Sequence, residues 1–234
     1  MSTSAAGEPL ARGRGLTFSY ARGEAALHGV DVELPSGTVT VIAGANGAGK
    51  TTLLRILAGN LEPTSGEVVV LGLPRPARAR GAARRRLREQ STYVPQEIAL
   101  DPEMTGRECL DLMATLYGPV GNERRRRIEE VAERCAVTPY LDRRVQALSG
   151  GLRRRFHLAA GLLHEPRLLL LDEPGVGLDA DAGAALWADL LRRAHDGAAV
   201  AVVTHELEAA ERHADAVLIL ERGELVGSRG GDRR

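Results

Sequence analysis

The sequence predicts an α/β fold built on a mainly parallel central sheet, and three observations predict it. Residues 38–43 form an apolar, β-branched run that leads straight into a glycine-rich loop, and that loop opens a segment patterned as a helix. Residues 168–173 read Leu-Leu-Leu-Leu-Asp-Glu, a second apolar run that ends in two carboxylates. Further strand-length runs at 199–203 and 217–220 alternate with helical segments, as parallel strands joined by crossovers require.

Composition narrows the class. The 234 residues suit one large domain, or one domain with an inserted subdomain, and 44% hydrophobic content supplies a sizeable core. A formal net charge of zero gives no global sign of nucleic-acid binding, so no specific nucleic acid is expected as a partner. Cys109 and Cys135 fit no metal or redox spacing and read as isolated thiols of a reducing compartment. The N-terminus has neither a basic start nor an apolar stretch, so no secretion signal is expected. No apolar run approaches the ~20 residues that span a bilayer. The chain is therefore expected to be soluble and cytoplasmic, with any membrane part supplied by another chain.

The elements follow in order. Residues 1–14 are small, polar and glycine-containing, and are expected to be flexible. Residues 30–34 alternate apolar and acidic side chains as a half-exposed strand does, and Pro35-Ser36-Gly37 is a turn. After the strand at 38–43 and its loop, residues 50–59 read as a helix with Leu53, Leu54, Ile56 and Leu57 inward and Gly59 ending it. Residues 67–71 are a strand, residues 75–88 hold seven arginines, and Tyr93-Val94-Pro95-Gln96 closes a short strand. From 97 to 165 the pattern turns helical, with an amphipathic helix at 123–136 that points Ile128, Val131, Ala132 and Cys135 inward. A helix at 180–194 separates the strands at 168–171 and 199–203, and residues 228–234 are expected to form a flexible tail.

Gly44-Ala45-Asn46-Gly47-Ala48-Gly49-Lys50-Thr51 fits the phosphate-binding pattern G-x-x-x-x-G-K-[ST] in the context the pattern needs, after a strand and at the head of a helix. Backbone N–H groups of such a loop cradle phosphate oxygens, helped by the helix N-terminus. Lys50 is the only lysine in a chain whose other cationic side chains are all arginine. A compact ammonium reaches into a closed cradle where a planar guanidinium is the wrong shape. Lys50 is expected to bridge the terminal phosphates and Thr51 to ligate Mg²⁺. Asp172 and Glu173 stand at the C-terminal end of a buried strand, where open α/β sheets bind ligands. Asp172 then holds the metal shell and Glu173 is a general base for water; the alternative, a pair capping the next helix, is opposed by Pro174. His205 follows a strand ending at the same sheet edge and could hold a γ-phosphate and orient water, or could be structural. Gln96, at another strand end, is able to contact metal-bound water. Tyr20 by itself reads as packing.

With these residues assembled, the chain resembles the ATP-binding subunit of an ABC transporter. The deciding segment is Leu148-Ser149-Gly150-Gly151, which resembles that family's signature motif and opens an apolar helix ahead of Asp172. The resemblance runs from about residue 16 to 224. It implies, in order, an adenine-stacking Tyr20, a Walker A loop at 44–51 continued by Thr52, Gln96 as the Q-loop, the signature at 149–151, a Walker B strand at 168–173, Gly177-Leu178-Asp179 as the D-loop and His205 as the switch histidine. It also implies a P-loop NTPase fold with a small antiparallel β subdomain. The ATPase domain is expected at 15–227, with a helical subdomain at about 97–165 inserted in a RecA-like core. The cofactors implied are ATP and Mg²⁺. The partners implied are a transmembrane permease subunit and a second copy of the chain, paired head to tail so that Ser149, Gly150 and Gly151 of one copy face the Lys50 loop of the other. The resemblance also implies a chain that is peripheral on the inner face of the cell membrane through its permease partner. Two departures stand out: Leu152 replaces the usual glutamine, and Gly175-Val176 replaces small hydroxyl residues before the D-loop.

Residues 93–96, 104–108 and Leu116-Tyr117-Gly118 resemble the exporter branch with ABC-2-type membrane partners. An importer subunit and a soluble ATPase of the iron–sulfur assembly type remain alternatives. The arginine clusters at 75–88, 124–127 and 153–155 read either as solvated surface or as contacts to anionic lipid or to an acidic helix of the partner. The last of them follows the signature and could add positive potential near the phosphates.

Overall fold

The computed structural model describes residues 8–20, 23, 25–205 and 211–230. The first two strands are β1 (Pro9–Ser19) and β2 (Ala25–Pro35), followed by β3 (Val39–Ala43) and helix α1 (Lys50–Leu57). Next come β4 (Ser65–Val70), β5 (Leu73–Pro74), α2 (Gly81–Gln90) and β6 (Ser91–Val94). Three helices follow, α3 (Gly106–Tyr117), α4 (Asn122–Arg134) and α5 (Gly150–Leu162). The chain then returns to strand at β7 (Leu168–Asp172), crosses through α6 (Ala180–His195) to β8 (Ala199–Val203), and ends in β9 (Ala216–Glu221) and β10 (Glu224–Gly230).

Six strands form the main sheet in the order β10-β9-β3-β8-β7-β6, and four form a second sheet in the order β2-β1-β4-β5. In the main sheet β3 pairs parallel with β8 and β9, and β7 pairs parallel with β6 and β8; only β9–β10 is antiparallel. The smaller sheet is antiparallel throughout.

Side-chain alternation explains how the layers stack. Along β7, Leu169 and Leu171 point into one core with Phe156, Leu158 and Leu162 of α5 and Leu186 and Leu190 of α6. Leu168 and Leu170 point into a second core with Leu53, Leu54, Ile56 and Leu57 of α1 and the inner faces of β1, β2 and β4. A strand covered on both faces has no polar side to show, so β7 and β8 read as unbroken apolar runs. Each leucine buried there contributes about 1.5–3 kcal/mol.

The expected flexible lead is corrected over residues 9–14. They belong to β1, where Leu10 and Ala11 are buried, while residues 1–7 lie outside the described residues. Likewise residues 228–230 pair with β9 and are not a loose tail, and residues 231–234 lie outside the described residues. Among the described residues no helix is long and apolar enough to cross a membrane.

The arginine clusters are largely tied to protein. Arg75 and Arg78 bridge to Glu62, Arg85 to Glu89, Arg124 to Asp111, and Arg126 to Glu123. Arg84 caps a carbonyl instead, donating to Gly59 O at 2.8 Å.

Candidate active site

The glycine loop between β3 and α1 is fixed by close backbone approaches. A Cβ on Gly44 would lie 2.0 Å from Leu220 O, and one on Gly49 would lie 2.4 Å from Ala26 O. Both glycines also have positive φ, 149° and 100°, so only glycine fits either position without strain. Gly49 is the N-cap of α1, which leaves the first N–H groups of the helix free of helical partners. Lys50 is buried and its Nζ donates to the carbonyls of Gly44 and Ala45 at 2.7 and 2.9 Å. The ammonium is thereby folded back over its own loop.

Parallel pairing brings the second half of the site alongside. Register pairs Asp172 with Val203, so β7 and β8 end together, and Glu173 N donates to Val203 O at 2.9 Å. Asp172 Oδ2 accepts from Thr51 Oγ1 at 2.8 Å. Burial pushes the Asp172 carboxyl above its ordinary range, with the Thr51 hydrogen bond opposing the shift. Burial and the nearby Asp172 carboxylate push the Tyr93 hydroxyl up to about 12, so it remains a protonated phenol beside the carboxylate.

Glu173 adopts φ of 50° and is buried. A left-handed conformation in a non-glycine residue is uncommon and clusters at functional sites. His205 Nδ1 donates to Glu173 Oε2 at 3.0 Å. A carboxylate able only to accept fixes the proton on Nδ1 and leaves Nε2 for another partner.

One cavity of about 430 Å³ collects most of these groups: Tyr20, the loop from Asn46 to Gly49, Lys50, Thr51, Thr52, Gln96, Asp172 and Glu173. Gly44 and Ala45 hold Lys50 from outside its lining, and His205 reaches it through Glu173. Tyr20 and Thr52 share a 3.0 Å hydrogen bond at its rim. Ala25, Ala26 and Val203 also line it, and nothing in their residue type marks them for the role.

Ser149, Gly150, Gly151 and Asp179 do not line this cavity. They form a second group at the start of α5. Ser149 caps that helix by accepting from Leu152 N at 3.3 Å, and a Cβ on Gly151 would approach Gly177 O to 2.9 Å. Arg155 donates to Asp179, whose carboxylate also caps α6 at Ala182 N. The expected positive potential from Arg153 to Arg155 resolves into three different fates. Arg153 is exposed, Arg154 is buried, and Arg155 is paired with Asp179.

The oxygen set of Thr51 and Asp172 suits a small hard cation such as Mg²⁺, which takes few protein ligands and keeps phosphate and water in its remaining positions.

Comparison with known proteins gives one answer. Residues 27–176 match the family described as ABC transporter. The daunorubicin resistance ATP-binding protein DrrA3 of Streptomyces coeruleorubidus is 37% identical over 219 residues, covering 89% of this chain and 67% of that protein. The Nod factor export ATP-binding protein I of Rhizobium meliloti is 36% identical over 200 residues, 86% of this chain and 58% of that protein. The probable multidrug ABC transporter ATP-binding protein YbhF of Escherichia coli is 38% identical over 197 residues, 84% of this chain and 33% of that protein. The chain thus spans between 33% and 67% of the length of these relatives. Among solved structures, a bacterial ABC transporter cassette in dimeric form superposes with a TM-score of 0.87 at 28% identity, covering 96% of this chain and 99% of that one. A dimeric post-hydrolysis state of that cassette, bound to ADP and Pi, gives the same TM-score.

Proposed function

The chain belongs to the ABC transporter family and carries its P-loop NTPase fold, and from that premise we propose that it is the ATP-hydrolysing subunit of an exporter. The observation that carries this reading is the convergence of a phosphate loop and two strand-end carboxylates on one cavity, with a histidine bonded to the second carboxylate. ATP enters with its phosphates on the loop and its base against Tyr20. The N–H groups of residues 46–51 and the Lys50 ammonium bind the phosphate oxygens, Lys50 leaving its loop carbonyls to do so. Thr51 and Asp172 would hold Mg²⁺, which would supply positive charge to neutralise the terminal phosphates. Glu173 takes the proton of the water as its oxygen bonds to the γ-phosphorus and ADP leaves, His205 orients both, and Gln96 would contact metal-bound water.

Ser149, Gly150 and Gly151 lie outside the cavity of their own chain, which supports a role in the site of a neighbour. In a head-to-tail pair they close the site of a second copy, offering the N-terminus of α5 to the γ-phosphate. The dimeric form of the similar cassette supports this arrangement. Binding of ATP draws the copies together and hydrolysis releases them.

The mechanical output goes to a permease on the inner face of the cell membrane. The helices between β6 and β7 offer the docking face: Leu112, Leu116 and Val120 are exposed at helical spacing along and just beyond α3. Export as the direction rests on the relatives named for drug resistance and Nod factor export.

The test is co-purification of the tagged chain from gently solubilised membranes of its native host. A multi-span membrane protein in stoichiometric amount is the expected partner, and its type decides export against import. A soluble scaffold protein, with nothing from the membrane fraction, would overturn the transporter reading and leave the ATPase site untouched.

A further inference from the structure

Arg154 is 6% exposed and, among the described residues, forms no ion pair. Its guanidinium is spent on two consecutive backbone carbonyls. Nη2 donates to Gln96 O at 2.6 Å and Nη1 reaches Pro95 O at 3.4 Å, while Nε has no partner. Burying a guanidinium against neutral acceptors alone is costly, and an apolar side chain of the same length would pack there more cheaply. Part of the cost is offset from the active site, because the charges of Asp172 and Glu173 favour the cation and oppose the effect of its burial. One helical turn on, His157 is buried with Nδ1 unpartnered. Burial and Arg154 push it down to about 4, so it is neutral and adds no second charge.

The placement matters because of what lies at each end. Arg154 stands one turn inside α5, the helix that Ser149 caps and Gly150 and Gly151 open. Pro95 and Gln96 continue β6, whose Val94 pairs with Leu171, so Gln96 emerges beside Asp172 and Glu173. Gln96 is itself one of the residues that line the cavity.

We propose that Arg154 is a positioning residue for Gln96, a fork that ties the Gln96 backbone to α5 one turn in from its N-terminus, so that the signature segment and Gln96 move as one unit. The proposal rests on the role of Gln96 given above. A planar guanidinium suits the task because it meets two adjacent carbonyls at once, whereas an ammonium acts as a single point charge. When α5 shifts, Gln96 is carried with it toward or away from the carboxylates. A site on one copy is thereby informed of the position of the segment that serves the other.

The test is a double-mutant cycle on steady-state ATP hydrolysis by the full chain, with thermal melting of every variant. Arg154→Met is expected to lower kcat by about 10- to 100-fold, the scale of a small misplacement of a reacting group, with KM for ATP changed less than about twofold. Arg154→Lys, which keeps a donor for one carbonyl, recovers part of the loss. Gln96→Ala lowers kcat but leaves the carbonyl that Arg154 holds. In that background Arg154→Met is expected to cost less than about twofold more, since the group it positions is gone. Wild-type kcat in Arg154→Met, or its full loss repeated in the Gln96→Ala background, overturns the positioning role while leaving Gln96 intact. Wild-type kcat in Gln96→Ala overturns the role of Gln96 itself, and this proposal with it. Should Arg154→Met fail to fold, the same cycle run with Arg154→Lys decides between these outcomes.

Discussion

Thr51 and Asp172 lie 121 positions apart in the chain, yet Thr51 Oγ1 donates to Asp172 Oδ2 at 2.8 Å. The contact joins the first turn of α1 to the end of β7 and places two hard oxygens together. It also sets stability against function. Burial raises the Asp172 carboxyl, which means that the folded protein binds its proton more tightly than the unfolded chain does. The ionised form therefore costs stability at every pH above the unfolded value. Asp172→Asn keeps the size and accepts the same hydrogen bond without the charge. Its melting temperature is expected at or above that of the wild type, while ATP hydrolysis needs at least about tenfold more Mg²⁺ for half-maximal rate, the scale of losing a charged ligand partner. A magnesium titration of turnover alongside thermal melting reads both; unchanged magnesium dependence would remove Asp172 from the metal shell.

Glu173 is held by two constraints at once, a backbone φ of 50° and the 3.0 Å contact from His205 Nδ1. The left-handed backbone costs about 1–2 kcal/mol, at a residue that lines the cavity. Glu173→Gln still accepts from His205 but no longer takes a proton. Turnover is expected to fall by about 10²- to 10⁴-fold with ATP binding retained, so an ATP-dependent dimer accumulates and is visible by light scattering. Steady hydrolysis by this variant would take the base role away from Glu173.

Lys50 offers a sharper test than simple deletion, because every other cation in the chain is arginine. Its Nζ sits between two carbonyls at 2.7 and 2.9 Å in a buried position. Lys50→Ala is expected to abolish turnover, and Lys50→Arg to fail to restore it, since the guanidinium cannot enter the loop. Fluorescent-nucleotide binding and ATPase rate check this together. Full hydrolysis by Lys50→Arg would show that the loop needs only a positive charge.

These groups were legible because each is announced locally. The loop is read from spacing, and the carboxylates from the apolar run that delivers them. The proximity of Glu173 and His205 follows from parallel pairing of two strands that end in register, which sequence suggests but does not measure. β1 was not legible. Gly13, Gly15, Arg12 and Arg14 within it mimic a loop, and its pairing with β2 is interrupted by register shifts. It is a strand because Leu10, Ala11 and Leu16 find a core that the rest of the chain builds. β10 carries too few apolar residues to show alternation and is held by its antiparallel partner. Arg154 was invisible for the opposite reason. Between Arg153 and Arg155 it looks like one more surface charge, and only the helical phase of α5 sends it inward.

His157 gives the fold a defined acid sensitivity. Its imidazole is buried, and its pKa falls from the ordinary 6.5 to about 4. The folded protein thus binds this proton less tightly than the unfolded chain. The stabilising contribution is complete above about pH 6.5 and is lost as pH falls toward 4, amounting to about 3 kcal/mol across that window. His157→Gln removes the titration. Its melting temperature should fall less steeply than that of the wild type between pH 7 and pH 4.5, and parallel curves would show that His157 is not the sensor.

The last expectation follows from the proposed head-to-tail pair. Ser149 is the N-cap of α5, and the cavity that holds Lys50 and Glu173 does not include it. Ser149→Arg removes the cap, which costs about 1 kcal/mol and leaves the fold intact. It also places a bulky cation at the head of the helix, where a second copy would dock its nucleotide. ATP binding to the dilute monomer should therefore match the wild type, because every group lining the cavity is unchanged. Turnover should be blocked at all protein concentrations, whereas the specific activity of the wild type rises as concentration drives pairing. Nucleotide affinity at low concentration and ATPase rate over a concentration series separate the two effects. If Ser149→Arg hydrolyses ATP at the full rate, the signature segment does not complete a neighbour's site and the head-to-tail pair is wrong. If it loses ATP binding as monomer, Ser149 acts on its own chain and the separation of the two groups of residues has been misread.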